Sequence, residues 1–377
     1  MLKLPPFWLC AAGLMLGLAG CATPPAAPPD VAPAAPISPA PPVPSPPSPA
    51  ISTTSATQTN AVVTPAPGRV VTETAGTNRA PAATWLPLES WSQANGWGKP
   101  ERLRNVPAWT YELRGSLGVI QITAGRRTVT WNGINLELGF TPRLTNGQPC
   151  LHLLDYTKTL APLGLRPAFF ERTNAVLVID PGHGGENYGA KSATGDRYEK
   201  EFALDWAFRL ERLMKRQGWQ VFLTRTNDVD IPLPDRVAFA DRVHADLFLS
   251  LHFNSTDQPQ GRSEQGGIET YCLTPVGMPS TLTRRFDDEV KAAFPNNQFD
   301  LENFHVAARL HRSLIEATQR KDRGVRRARF MGVLRAQNRA AVLLEGGYLT
   351  QATEADLIAD SVYRQKLAQA VATALAR

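Results

Sequence analysis

The stretch Val176-Leu177-Val178-Ile179-Asp180-Pro181-Gly182-His183-Gly184-Gly185 decides the fold. Its first half is a short apolar run bounded by turn residues, the mark of a buried strand. The run breaks at Asp180-Pro181-Gly182, so His183 falls just past the carboxyl end of the strand. Glycines around it let the backbone crowd against whatever His183 binds. Alone, this would be an incidental histidine in a glycine-rich turn. Two later strands end the same way. Asp246-Leu247-Phe248-Leu249-Ser250-Leu251-His252 runs into Phe253-Asn254-Ser255, and Ala341-Val342-Leu343-Leu344-Glu345 runs into Gly346-Gly347. Ligands of open α/β sheets bind outside the carboxyl ends of parallel strands. Strands that deliver His, His and Glu to that edge mark a candidate site that packing does not explain.

Outward from this stretch, residues 174–377 alternate strand and helix. A helix is expected over about 199–217, where Phe202, Trp206, Leu210, Leu213 and Met214 recur at helical spacing before Gly218. Further strands are expected at 220–224 and 267–273. Helices are expected near 234–243, 280–294 and 301–320, and a last one carries Val362, Leu367, Val371 and Leu375 on one face. Such alternation predicts an α/β fold with a mostly parallel sheet covered by helices on both faces.

Before it, about 84–168 forms a small β-rich domain. Asn132-Gly133 separates Thr128-Val129-Thr130-Trp131 from Ile134-Asn135-Leu136-Glu137-Leu138, a strong hairpin signal. Asn146-Gly147 marks another turn, and Tyr156 to Leu163 suits a short helix. This pattern resembles the small amino-terminal domain of copper amine oxidases. It holds one histidine, His152, so no chemistry is assigned to it; wall binding and structural support both fit.

Residues 1–20 have the form of a secretory leader, with Lys3 as the charged end and an apolar core from Phe7 to Leu18 that is too short to span a bilayer. Leu18-Ala19-Gly20-Cys21 resembles a bacterial lipobox, which implies cleavage before Cys21 and lipidation of that residue. Ala22 rather than Asp follows, which in diderm bacteria implies the outer membrane, facing the periplasm. From 21 to 83 the chain is rich in Pro, Ala, Ser and Thr with almost no aromatics, the composition of a disordered tether.

The 377 residues suffice for two domains, and half of the 32 prolines fall in the tether. The formal charge of +6 carries no Lys/Arg block, which suits an anionic envelope polymer, and no aromatic-basic interleaving points to nucleic acid. Of the four cysteines, two lie in the leader region; Cys150 and Cys272 are expected as buried free thiols, and neither belongs to a CxxC.

Catalytic zinc is commonly held by two His and one Glu, with a further position open to water. His183 and His252 are the nitrogens. Glu186, Glu199 and Glu201 are the carboxylates near the first strand, and Glu199, opening its helix, can swing back toward the sheet edge. Glu345 is either a fourth metal group or a base beside the water.

Asp180-Pro181-Gly182-His183-Gly184-Gly185, Glu199-Lys200, Ser250-Leu251-His252-Phe253-Asn254 and Leu344-Glu345-Gly346-Gly347-Tyr348-Leu349 together resemble the zinc-dependent N-acetylmuramoyl-L-alanine amidases. Gly267-Ile268-Glu269-Thr270-Tyr271 and Arg323-Gly324-Val325-Arg326 resemble that family too, and the order and spacing match across about 176–376. The resemblance implies His183, Glu199 and His252 as ligands of one Zn2+ per chain and Glu345 as the catalytic acid-base. Asn254 and Arg326 are implied as substrate contacts. The implied reaction is hydrolysis of the amide between the lactyl group of N-acetylmuramic acid and L-alanine in peptidoglycan. A stem-peptide zinc peptidase and a catalytically dead wall-binding lipoprotein are the alternatives. Asn187 stands where the family usually has Asp, and Tyr348 where Phe is more common; neither is expected to touch a ligand. His152, His244, His305 and His311 are expected to be non-ligands. In some amidases of this type an inserted helix plugs the site until an activator protein removes it. The 276–300 segment is either such a plug or one more surface helix.

Overall fold

The hairpins of the amino-terminal half and the strand–helix alternation of the carboxyl-terminal half meet in a single sheet. The computed structural model describes residues 84–104, 108–256, 265–284 and 286–376; the leader, Cys21 and the tether lie outside the described residues. The first strands are β1 (Trp85–Pro87), β2 (Glu101–Arg102), β3 (Thr110–Gly115), β4 (Gly118–Thr123), β5 (Thr128–Trp131), β6 (Ile134–Glu137), β7 (Arg143–Thr145) and β8 (Gln148–His152). Helix α1 (Leu88–Ala94) follows β1, and α2 (Leu153–Asp155) runs on into helical turns through 164. Then come β9 (Val176–Pro181), α3 (Glu199–Arg216), β10 (Gln220–Leu223), α4 (Leu233–Arg242), β11 (Leu247–Asn254) and β12 (Ile268–Cys272). The chain ends with α5 (Asp300–Thr318), β13 (Asp322–Arg327), α6 (Gly332–Arg335), β14 (Ala340–Tyr348), α7 (Ala352–Ala359) and α8 (Ser361–Ala374).

The large sheet has 11 strands in the order β10-β9-β11-β14-β12-β13-β6-β5-β4-β3-β2, and β1-β8-β7 form a second, 3-stranded sheet. Strands β10, β9, β11 and β14 are parallel neighbours, β12 runs antiparallel to β14, and the strands from β6 to β2 form an antiparallel meander. The fold is the expected α/β one. Strands from 84–168 and 174–377 share this sheet because β6 pairs with β13, and the Asp322 carboxylate accepts the Asn135 amide at 2.7 Å.

Alternation along each central strand sorts side chains onto two faces. Leu177 and Ile179, Leu249 and Leu251, and Val342 and Leu344 join the larger core with Trp206, Leu210, Leu314 and Leu367 from α3, α5 and α8. Val178, Phe248, Ala341 and Leu343 join a smaller core with Ala240 of α4 and Val333 and Leu334 near and within α6. Burial on both faces is why these strands are continuously apolar. Helix α3 begins where the Glu201 carboxylate accepts the Tyr198 amide at 3.3 Å, and it stops at Gly218, whose φ of 82° suits only glycine without strain.

The helix expected over 280–294 does not form. Arg329 is 5% exposed and its guanidinium collects the Pro275, Met278 and Val290 carbonyls, the Ser280 hydroxyl and the Asp288 carboxylate. The Thr281 and Leu282 amides donate to the Arg327 carbonyl and the Val290 carbonyl accepts from Gly277 and Arg329, so these backbone groups are committed outside the segment and it runs as an irregular strap. Cys150 and Cys272 are free and buried, as expected.

His305 gives a test of this packing. Its Nδ1–H donates to the Pro162 carbonyl at 3.0 Å, Nε2 is buried without a partner, and burial lowers the imidazole to about 4. The unfolded chain binds a proton near pH 6.5 that the fold refuses, so stability falls as pH drops from 6.5 toward 4. Up to about 3 kcal/mol of acid-side loss is expected from this group at 1.36 kcal/mol per unit. Urea unfolding at pH 7 and pH 4.5 should show a smaller acid loss in His305→Gln than in the parent protein.

Candidate metal centre

The smaller core turns polar at the carboxyl edge of the sheet. On β9 the residue two beyond Val178 is Asp180; on β11, Ser250 and His252 follow Phe248; on β14, Glu345 follows Leu343. Register sets Ser250 beside Asp180 and His252 beside Glu345. At that edge lies a cavity of about 550 Å³ lined by His183, Glu199, His252, Glu345, Arg284 and Phe330 among others.

His183 and His252 approach from separate strand ends with ring centroids 5.0 Å apart. Glu199, the first residue of α3, reaches between them. Its Oε2 lies 3.1 Å from His183 Nε2 and its Oε1 lies 2.8 Å from His252 Nδ1. Backbone amides of Ala190 and Phe253 donate to the same two oxygens at 2.9 and 3.1 Å. Burial opposes ionisation, but the hydrogen bonds and positive charge of both imidazoles hold the Glu199 carboxyl well below its ordinary range. The three donor atoms lie within 4.8 Å of one another. Glycine is required here for space. A Cβ on Gly182 would sit 2.3 Å from the His252 ring, and one on Gly189 would sit 2.6 Å from Glu199 Oε2.

The outward nitrogens are held too. The Ser250 hydroxyl donates to Asp180 Oδ2 at 2.8 Å, because a carboxylate only accepts, and so it accepts from His252 Nε2–H at 3.1 Å. Asp180 remains ionised despite burial because Arg236 pairs with it and the Thr224 and Ser250 hydroxyls donate to it. His183 Nδ1 meets Asn187 Oδ1 at 2.8 Å. Asn187 therefore does touch a candidate ligand, contrary to the expectation from sequence; the tight turn through Gly184 and Gly185 brings residue 187 back over the ring, with Gly184 N donating to Asn187 O at 2.9 Å. His183 itself has φ 62°, rare for a branched ring side chain and tolerated because Arg236 fixes its carbonyl at 2.9 Å.

This geometry fits a metal cation. Two imidazoles and a carboxylate, each oriented by a second partner, converge on one point as structural and catalytic zinc sites require. The inward contacts are N–H to carboxylate bonds, so the pocket is built for positive charge, and a metal would enter by releasing protons.

Glu345 is 7% exposed, and its Oε2 has no partner among the described residues. Burial, then the charges of Glu199 and Glu269, push its carboxyl well above the ordinary value, with Arg284 opposing. Asn254 lines the cavity and donates Nδ2 to Glu269 at 2.7 Å. Arg326 donates to Glu269 at 2.9 Å, beside Arg323 at 2.8 Å, so its charge is already matched by a buried carboxylate. Glu201 pairs with Arg197 and Glu186 is exposed; neither joins the centre. His152 caps α2, His244 is exposed, and His305 and His311 are buried in hydrogen bonds elsewhere. Sequence reasoning missed Ser250, although its i, i+2 spacing from His252 on a strand already puts both on one face.

Residues 177–377, more than half of the chain, match the family model described as N-acetylmuramoyl-L-alanine amidase. The chain belongs to this amidase family. It is 32% identical over 195 residues to N-acetylmuramoyl-L-alanine amidase LytC of Bacillus subtilis, covering 52% of this chain and 34% of that one. It is 30% identical over 200 residues to the "Probable cell wall amidase LytH" of Staphylococcus epidermidis, covering 53% of this chain and 56% of that one. The chain thus spans about half or less of the length of these curated relatives. Among solved structures it is similar to the catalytic domain of CwlV, an N-acetylmuramoyl-L-alanine amidase from Paenibacillus polymyxa, at 30% identity and a TM-score of 0.43, covering 53% of this chain and 95% of that one.

Ser250→Ala should remove the acceptor that orients His252 while leaving every inward donor in place. Metal affinity, read by competition with a chelator, is expected to fall about 10- to 100-fold. His183→Ala, Glu199→Ala and His252→Ala should each lose metal far more completely.

Proposed function

We propose that this chain is a zinc-dependent N-acetylmuramoyl-L-alanine amidase that hydrolyses the amide between the lactyl group of N-acetylmuramic acid and the first L-alanine of the peptidoglycan stem. The observation that carries the proposal is that Glu345, a buried carboxyl with one oxygen unpartnered among the described residues, lines the same cavity as His183, Glu199 and His252. His183, Glu199 and His252 would hold one Zn2+. The bound ion supplies Lewis acidity that polarises the amide carbonyl and acidifies a water to a pKa of about 7.

The protein's own groups do the rest. Glu345 takes a proton from the attacking water as the water oxygen bonds to the lactyl carbon. It returns that proton to the alanine nitrogen as the C–N bond breaks, leaving a lactyl carboxylic acid and a free amine. A carboxyl raised above its ordinary value is both a stronger base and a ready acid. Ser250 and Asn187 keep the imidazoles aligned, and the Ala190 and Phe253 amides keep Glu199 from rotating away. Asn254 retains an amide hydrogen that can meet substrate.

The lipobox-like Leu18-Ala19-Gly20-Cys21 supports anchoring through lipidated Cys21, with residues 21–83 as a tether from the outer membrane into the periplasm. No helix among the described residues is long and apolar enough to cross a membrane. Among the described residues the 276–300 segment holds a 3-10 turn over Pro295–Phe299 and otherwise runs as an irregular strap into α5.

Mass spectrometry of purified wall fragments digested by the protein tests the reaction. A free lactyl acid is expected; a cut between amino acids would instead indicate a peptidase, and no product a binding protein. Glu345→Gln should retain one zinc per chain and near-parental stability, since β14 packs through Val342, Leu343 and Leu344. Its turnover should drop about 10²- to 10⁴-fold. Loss of zinc in this variant would make Glu345 a ligand.

A further inference from the structure

One cation of the cavity, Arg284, stands in no ion pair among the described residues, although its charge acts on Glu345. Among the charged residues around it, Lys191 pairs with Asp196, Arg323 and Arg326 with Glu269, and Arg329 with Asp288. Arg284 is exposed, lines the cavity, and pairs with no carboxylate among the described residues. Its guanidinium sits 5.4 Å over the ring of Phe330, which also lines the cavity. Phe286, 60% exposed, stacks on Phe330 at 5.2 Å and 10°.

This placement is over-determined. The strap bearing Arg284 is held at Pro275, Met278, Ser280, Asp288 and Val290 by the buried Arg329. The Thr281 carbonyl also accepts from Arg326 at 3.4 Å, and its hydroxyl accepts from the Arg327 amide at 2.8 Å. Within this fixed strap Arg284 takes φ 52°, a left-handed conformation that a long side chain adopts only at a cost. A planar fork of donors, laid on an aromatic ring and aimed into a cleft, is suited to bidentate recognition of a carboxylate.

We propose that Arg284, backed by Phe330 and Phe286, is a specificity subsite for the free carboxylate of the stem-peptide residue that follows L-alanine. This rests on the amidase reading. The second stem residue is a glutamate linked through its side-chain carboxyl, so its α-carboxyl projects from the peptide one residue beyond the cut amide. Where that group is a carboxamide, the charge is absent and the guanidinium keeps only one neutral carbonyl acceptor.

The test compares kcat/KM of the zinc-loaded protein on two muropeptides identical except for a carboxylate or a carboxamide at that position. The parent protein is expected to favour the carboxylate by about 10- to 100-fold, the range of a hydrogen-bonded charge pair in a cleft. Arg284→Gln should bring the ratio to within about threefold of unity, and Arg284→Lys should leave an intermediate ratio. Zinc content and thermal unfolding of each variant check that the fold is kept. A parent protein that cuts both substrates equally, or a ratio that Arg284→Gln leaves unchanged, overturns the subsite alone. Failure of the parent to release a lactyl acid from either substrate overturns the amidase reading and the subsite with it.

Discussion

A single buried charge, the carboxylate of Asp180, underlies the whole site. It sits 1% exposed at the end of β9 and accepts from Thr224 after β10, from Arg236 of α4 and from Ser250 of β11. A buried carboxylate left unpaired would cost several kcal/mol, so each of these partners must be in place. Arg236 and the neighbouring Arg225 also donate to the Pro181, Gly182 and His183 carbonyls, groups that a sharp turn would otherwise leave without partners. The charge thus specifies the turn, the turn presents His183, and Ser250 passes the same constraint to His252.

Glu199 completes the centre from the opposite direction. Helix α3 is fixed to the sheet by Phe202, Trp206 and Leu210, so its first residue has little freedom. Lys200 strengthens this by donating to the Gly185 carbonyl at 2.7 Å and to Asp228 at 2.6 Å, tying the start of the helix to the glycine loop. The candidate ligand set is therefore held by the turn after β9, a helix start and a strand end, each tied to the core. Such support is what keeps a metal site within the narrow geometry that catalysis needs.

The amino-terminal hairpins contribute at a distance. Arg327 is buried at the end of β13 and donates to the Lys158 carbonyl at 2.6 Å and the Thr159 hydroxyl at 3.0 Å. At the start of the same strand Asp322 joins His311 to the Asn135 amide. Strand β12, which carries Glu269 beside Glu345, is thereby backed by β13 and the meander rather than left as an edge. Exposed sheet edges invite unwanted pairing, and the hairpins remove that liability.

Much of this was legible before any coordinates. Apolar runs broken at Asp180-Pro181, His252 and Glu345 revealed the central strands, and the parallel α/β rule then put their polar ends together. The Asn132-Gly133 hairpin and the α3 helix followed from local propensity and periodicity. Three features were not legible. The 280–294 helix was expected from local composition, yet Arg327 and Arg329, distant in sequence, hold the Thr281 and Leu282 amides, the Asp288 carboxylate and the Val290 carbonyl in an irregular path. Asn187 was set apart from the ligands, yet a turn through two left-handed glycines folds it onto His183. Arg284 carried no pattern at all, since being unpaired is a property of its neighbours in space. The sequence by itself determined strand order along the chain, the residue types that meet at the sheet edge and the family. Only the tertiary structure decided which carboxylate reaches the histidines, which charges cancel and which remain free, because those outcomes depend on side chains brought together from different strands and helices.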